Sequence, residues 1–595
     1  MRRSFLIFTA LLALIALLGA LITDQFALQI LTLTLIWATA GLAWNVPATA
    51  GQISLGHAAF TGIGAYGFVF CVVQFGWSAW VGMAVSMAAA AVLALVIGLP
   101  TFRLQGFYFT LATMAFPLIL MVLVIAGGHP EVTVPFNPGE PIASMQFRDP
   151  RSYVWLALGA FAVVGALCLA VAESKIGRTL IAIRDNEILA RSVGVRTLVW
   201  KLGAFCFSAA VSAAVGVIWV NAILLVVAAE EVFGFAVSIL LISVTFVGGI
   251  GRFWGPIVGA GLLIPLSQFL TVQVGDRVPG AESIVYGLAL VAVALVMPRG
   301  VFPTIADRLT RRGADGPPDE HRTDNAEWRA LAREAKATSS DDVLLEVIGV
   351  EKRYGGLTVL RDATFTVGAG ARLGLIGPNG AGKTTLFNLM TGHATPNGGS
   401  IRFRGEDITK LPAPARTQLG LSRTFQVPQG FRSMTARQNV EIAALGSGLG
   451  PAEADRHTRA ILCAVGLGGR ADRLPSALTA FELKLLELAR AAVSRPAVLL
   501  LDEPLAGLNE AERGDFFAAL DLVVDEEIAV VVIEHSVKAL LSYSSELLAL
   551  DGGQIIASGS PREVVRDPRV IKAYLGNKFA ARYSLVSEPQ KADQP

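Results

Sequence analysis

The chain has 595 residues and a formal net charge of +2, with 53% hydrophobic against 16% charged residues. That length exceeds one ordinary domain, and the balance is too apolar for a soluble protein of this size yet too charged for a wholly membrane-embedded one. Lys and Arg gather into no long basic block, which excludes nucleic acid as the expected partner; the cysteines, Cys71, Cys168, Cys206 and Cys463, lie mostly in apolar runs and read as small buried hydrophobes, not a disulfide framework or metal site.

A membrane-spanning helix needs about 20 mostly apolar residues. Such runs recur at 5–22, 26–46, 54–75, 79–99, 107–126, 152–172, 202–229, 232–249, 254–274 and 283–297. Ten spans beginning on the cytoplasmic side put Arg2, Arg3, Arg103, Lys175, Arg178, Arg184, Arg191, Arg196, Arg252 and Arg299 inside, as the positive-inside rule requires. The Pro-rich stretch 127–151, with Glu131, Glu140 and Asp149, then lies outside. Arg2-Arg3 before an apolar stretch also fits a cleaved signal peptide, but no small-residue cleavage site precedes the second run, so an uncleaved first span is expected.

Two glycine-rich patches interrupt the helical pattern, Gly51, Gly56, Gly62, Gly64 and Gly67 in one half and Gly248, Gly249, Gly251, Gly255, Gly259 and Gly261 in the other. They fit close packing through small residues, or broken helices around a site at the membrane midplane that His57 and Asn45 would line. Between the sixth and seventh spans, residues 173–200 form a cytoplasmic segment with Leu180, Ile181, Ile188 and Leu189 at helical spacing and Arg178, Arg184, Asp185, Glu187 and Arg191 between them. It reads as a docking element, with an amphipathic helix lying on its own membrane lipid as the alternative.

The membrane-spanning region therefore covers 1–303 and a polar, Pro- and Gly-bearing linker 304–342, with a short helix expected near 326–337. A second folded region at 343–577 and a tail at 578–595 follow. Short apolar runs at 372–376, 497–501 and 529–533 suit buried parallel strands of an α/β domain.

Directly after the first of these runs stands Gly377-Pro378-Asn379-Gly380-Ala381-Gly382-Lys383-Thr384-Thr385, a phosphate-binding loop. Its glycines let backbone N–H groups close around phosphate, the following helix presents its positive end, Lys383 reaches the β- and γ-phosphates of ATP, and Thr384 ligates Mg²⁺. A second strand ends in Asp502-Glu503. Asp502 is placed for Mg²⁺ and Glu503 to polarise the attacking water.

With Arg423-Thr424-Phe425-Gln426, Ala506-Gly507-Leu508-Asn509 and Glu534-His535, the domain resembles an ABC-transporter ATPase. The resemblance implies that Tyr354 stacks on adenine, that Gln426 shares the metal and couples the site to the permease, and that His535 contacts the γ-phosphate. More narrowly, Asn388-Leu389-Met390-Thr391-Gly392, Gly405-Glu406-Asp407-Ile408 and 422–440 resemble the G-type ATPase of leucine/isoleucine/valine (Liv) transporters. In the membrane half, 51–57, 62–66, Arg103-Leu104-Gln105-Gly106 and 183–194 resemble the M-type permease of the same systems. The expected architecture is a polytopic α-helical membrane domain fused to an α/β P-loop ATPase, working as an ATP-hydrolysing importer in the inner membrane. A second Liv-type permease and ATPase, or a second copy of this chain, and a periplasmic solute-binding protein are implied. Aliphatic amino acids are the solute class the resemblance favours; urea, amides and aromatic acids are alternatives, and a nucleotide-gated channel or an exporter are rival readings.

One departure stands out. Where the family carries Leu-Ser-Gly-Gly-Gln, this chain reads Leu478-Thr479-Ala480-Phe481-Glu482. Thr479 keeps a hydroxyl, but Ala480 and Phe481 remove the glycines that permit close approach to the opposite ATPase's γ-phosphate. Either this is a variation that Liv-type ATPases tolerate, or the chain pairs with a different ATPase whose conventional signature completes this chain's site.

Overall fold

Among the residues described by the computed structural model (2–104, 106–135, 137, 139–224, 226–274, 281–310, 326–334, 343–534 and 536–575), nine helices are long and apolar enough to cross a membrane. Helices pair most of their backbone polar groups internally, which hydrocarbon demands. Gln25–Thr49 and Thr197–Leu224 are the most enclosed, and Arg3–Leu21 and Tyr108–Ala126 the most exposed. The tenth expected span, 283–297, falls on Ala281–Val296, a helix of 16 residues.

The chain divides into two compact units, 1–184 with 197–316 and 185–196 with 317–595. In the first, the glycine patches serve close packing. A methyl on Gly64 would lie 2.0 Å from the Ala213 carbonyl oxygen, and one on Gly248 1.7 Å from that of Gly255. Asn45 is spent on backbone, its Nδ2 donating to Arg252 O (3.0 Å) and its Oδ1 accepting from Gly251 N–H (2.7 Å), while His57 Nε2 lies 2.8 Å from Ser208 Oγ.

A helix does break, but elsewhere. Thr197–Trp219 loosens into a π-helix at Val220–Leu224, and the chain then runs extended through Val226–Ala228. That strand pairs antiparallel with Glu131–Thr133 of the 127–151 stretch, Val132 opposite Val227. The Tyr66 hydroxyl reaches the carbonyls of Pro130 (3.0 Å) and Val227 (3.1 Å).

The second unit holds a six-stranded sheet in the order 554–559, 546–551, 372–376, 529–533, 498–502, 421–423, with its first pair antiparallel and the rest parallel. A four-stranded antiparallel sheet, 357–368, 343–354, 398–403, 406–407, completes the core. Val498–Asp502 and Ala529–Ile533 are buried along their whole length, as parallel strands covered on both faces must be.

The linker is more structured than its composition suggests. A helix at Val301–Thr310 runs across the 303/304 boundary, and Ala326–Glu334 forms a second. Trp328 in the latter is 2% exposed, donates to Val523 O (3.3 Å) and meets the His457 ring edge-on. One aromatic anchor thus fixes part of what reads as a tether.

Candidate functional site

The strand Arg372–Ile376 is held between 529–533 and 546–551 and delivers the chain to the phosphate loop. Gly380 (φ 83°) and Gly382 (φ 103°) take left-handed backbone that turns the loop into the helix Lys383–Met390. No side chain caps that helix, so its first N–H groups stay available to an anion. Lys383 Nζ donates to Gly377 O (2.7 Å) and Pro378 O (3.1 Å). Burial pulls its pKa down, while Glu503 and Asp502 pull it back up. Asn379, Gly380 and Thr384 are exposed, Ala381 is buried, and Pro378 and Thr385 are half-buried.

Asp502, 1% exposed, accepts from Arg423 Nη2 at 3.2 Å, whereas its Oδ1 is buried with no partner among the described residues. A buried carboxylate oxygen left without a partner is a ligand suited to a hard divalent cation. Burial raises the Asp502 pKa, with Arg423 opposing it. Glu503 holds φ 48°, its N–H on Ile533 O (2.9 Å) and its Oε2 accepting from Gln426 Nε2 at 2.8 Å. Sequence reasoning missed what locks this pair: Lys484 Nζ lies 3.3 Å from the carbonyl oxygens of both Gln426 and Glu503. Glu534 accepts from Leu505 N–H (2.7 Å). Tyr354, at a strand end, is 51% exposed under the Lys352 ammonium. His535 lies outside the described residues.

The signature departure has a structural form. Thr479 is the N-cap of Ala480–Ala492 in a complete capping box, accepting from Glu482 N–H (3.1 Å) while the Glu482 carboxylate accepts from Thr479 N–H (2.8 Å). Arg470 Nε holds that carboxylate at 3.1 Å. The N-terminal donors of this helix are therefore partly taken by the chain's own anion.

One turn on, Glu487 accepts from Phe425 N–H (2.8 Å), and burial pushes its carboxyl up to about 7 against the pull of Arg490. A carboxyl raised in the folded chain keeps a proton the unfolded chain releases. Its stabilisation is present below 4.5 and lost as pH rises through about 7. Glu487→Gln should flatten that part of the Tm–pH curve, removing a difference of up to about 3 kcal/mol; an unchanged slope would place the titration elsewhere.

Similarity to known proteins agrees with this geometry. Residues 26–294 match the model of the branched-chain amino acid transport system permease component, 360–506 that of ABC transporters, and 554–580 that of the branched-chain amino acid ATP-binding cassette transporter. The high-affinity branched-chain amino acid transport ATP-binding protein BraF of Pseudomonas aeruginosa is 37% identical over 249 residues, covering 39% of this chain and 98% of that one. The chain belongs to the branched-chain amino acid ABC transporter family. It is a permease fused to an ABC ATPase. LivG of Escherichia coli is 35% identical with the same coverage, and the lipopolysaccharide export ATP-binding protein LptB of Acidithiobacillus ferridurans is 34% identical, covering 40% and 98%. Among solved structures, the ATP-binding cassette MJ1267 is 30% identical, covers 39% of this chain and 98% of that one, and has a TM-score of 0.37.

Of the expected docking segment, Arg178 and Arg184 fall in the first unit, and Asp185, Glu187 and Arg191 in the second. The segment is two helices, Lys175–Asp185 and Glu187–Ser192, because Asn186 turns the chain and caps the second. Leu180 and Leu189 are buried, but Ile188 is 60% exposed and does not serve as the apolar contact expected of it. Polar grips do more of that work in the second unit. Asp185 accepts from Ser433 N–H (2.7 Å), Asn186 donates to Gln429, Thr417 Oγ1 donates to Ser192 O (2.9 Å), and Arg196 donates to Gln418 (3.0 Å). Glu187 and Arg191 pair with each other at 2.6 Å on the surface.

Proposed function

We propose that this transporter chain couples ATP hydrolysis to uptake of branched-chain or related amino acids across the inner membrane. The supporting observation is that one unit gathers Lys383, Asp502, Glu503 and Gln426 and also clasps residues 185–196. In this reading the loop 377–385 holds the phosphates, and Tyr354 carries the adenine. Thr384, Asp502 and Gln426 hold Mg²⁺, which neutralises phosphate charge when bound. Glu503 takes the proton of the attacking water, Gln426 orients it, and His535 reaches the γ-phosphate. Closure of the ATPase is passed on through 185–196.

A second Liv-type permease and ATPase, or a second copy, would complete the assembly, and a periplasmic binding protein would select the solute. The capped signature supports a different ATPase as the partner. Proteoliposomes holding the assembled complex should accumulate leucine against a gradient only with ATP and loaded binding protein on the proper sides. ATP-opened flux that never exceeds equilibrium would sink the importer in favour of a gated channel, and net flux away from the binding protein would make it an exporter.

A further inference from the structure

The second unit contains a file of buried side chains that the site chemistry does not use. Arg423 donates through Nη2 to Asp502 (3.2 Å) and through Nη1 to Asn388 Oδ1 (2.7 Å) and Thr391 Oγ1 (3.3 Å). Thr391 caps the C-terminal end of the helix that starts at Lys383, and its hydroxyl lies 2.9 Å from His393 Nδ1. The other ring nitrogen, Nε2, lies 2.8 Å from Ser192 Oγ in the 185–196 segment. Asp502, Arg423, Thr391 and Ser192 are buried and His393 is half-buried, so most of the file is shielded from water.

The donors order themselves. Thr391 spends its proton on Phe387 O (2.7 Å) and accepts from Arg423, so its remaining lone pair takes the His393 Nδ1–H and leaves Nε2 an acceptor. Burial, then the charges of Arg423, Arg191 and Arg416, hold the His393 pKa near 4, so the ring is neutral. Ser192 then has one proton and two acceptors, His393 Nε2 at 2.8 Å and Ile188 O of its own helix at 2.9 Å. Which one it serves depends on where His393 stands, and His393 stands on Thr391, where the phosphate-loop helix and the guanidinium paired with Asp502 converge.

We propose that His393 is a positioning residue that passes occupancy of the metal and phosphate site to the coupling segment, along Asp502–Arg423–Thr391–His393–Ser192. The proposal rests on the ATP-binding reading of that site and adds a route separate from Gln426.

The test is amide hydrogen–deuterium exchange on the full chain in lipid nanodiscs, with the non-hydrolysable analogue AMP-PNP plus Mg²⁺, AMP-PNP plus EDTA, or no nucleotide. In the wild type, Mg²⁺ and nucleotide together should change exchange across 187–196 by about 2- to 30-fold. In His393→Phe, residues 377–385 should still be protected while 187–196 stop responding. His393→Gln, whose amide both donates and accepts, should restore the response. A wild-type response in His393→Phe would overturn the route. So would equal loss in the Phe and Gln variants with 377–385 protected, or an unresponsive 187–196 in the wild type. If 377–385 gained no protection in the wild type, the nucleotide reading would fall first and the route with it.

Discussion

Lys383→Ala should reduce ATP turnover of the assembled complex by about 10²- to 10³-fold, the loss typical of removing one preorganised donor to developing charge. Solute accumulation should drop to background with it. Lys383 is 6% exposed, its ammonium bonded to two carbonyls of its own loop and set near both Asp502 and Glu503. Alanine therefore removes the donor meant for phosphate and also the charge that offsets two carboxylates. Phosphate release and labelled-leucine uptake in one proteoliposome preparation read both effects. Uptake that persisted would mean that the energy for transport enters elsewhere.

Glu503→Gln is the second large effect, because a positioned general base is worth about 10²- to 10⁴-fold. The glutamine keeps the size of the side chain and a hydrogen bond to Gln426, so nucleotide should stay bound while hydrolysis fails. The capped signature sharpens the expectation. Thr479 and Glu482 satisfy each other and Arg470 holds the carboxylate; on the proposed pairing with a different ATPase, the weaker site would be the one this signature covers, and the one built on Lys383 and Glu503 would carry turnover. Phosphate release by the variant complex at saturating ATP measures it. Near-normal turnover would show that the productive site belongs to the partner.

Much of this was legible in the residues. The phosphate loop and the Asp502-Glu503 strand end are local patterns whose chemistry forces their geometry, so spacing alone locates them. The spans are legible for a similar reason, since hydrocarbon leaves the backbone few options. Lys484, Glu487 and Arg423 were not assigned roles, because each acts on groups brought near only by packing. Lys484 reaches carbonyls 58 and 19 positions away. His393 and Ser192 are separated by 201 positions, and a lone His beside a lone Ser carries no pattern. The helix break at Val220–Leu224 was hidden because Asn221 is its single polar residue, and the strand that pairs with the following Val226–Ala228 lies in a distant loop. The short linker helix near 326–337 was legible, but its anchoring was not, because Trp328 meets Val523 and His457 only through packing.

The pairing of Glu131–Thr133 with Val226–Ala228 is made by main chain, with Val227 fully buried in the core and Val132 packed against it, while Glu131, Thr133 and Val226 are exposed. Substitution at the exposed Glu131, Thr133 or Val226 should therefore leave the clasp closed, whereas a polar residue at Val227 should open it, so the same three-residue pairing is permissive on one side and exacting on the other.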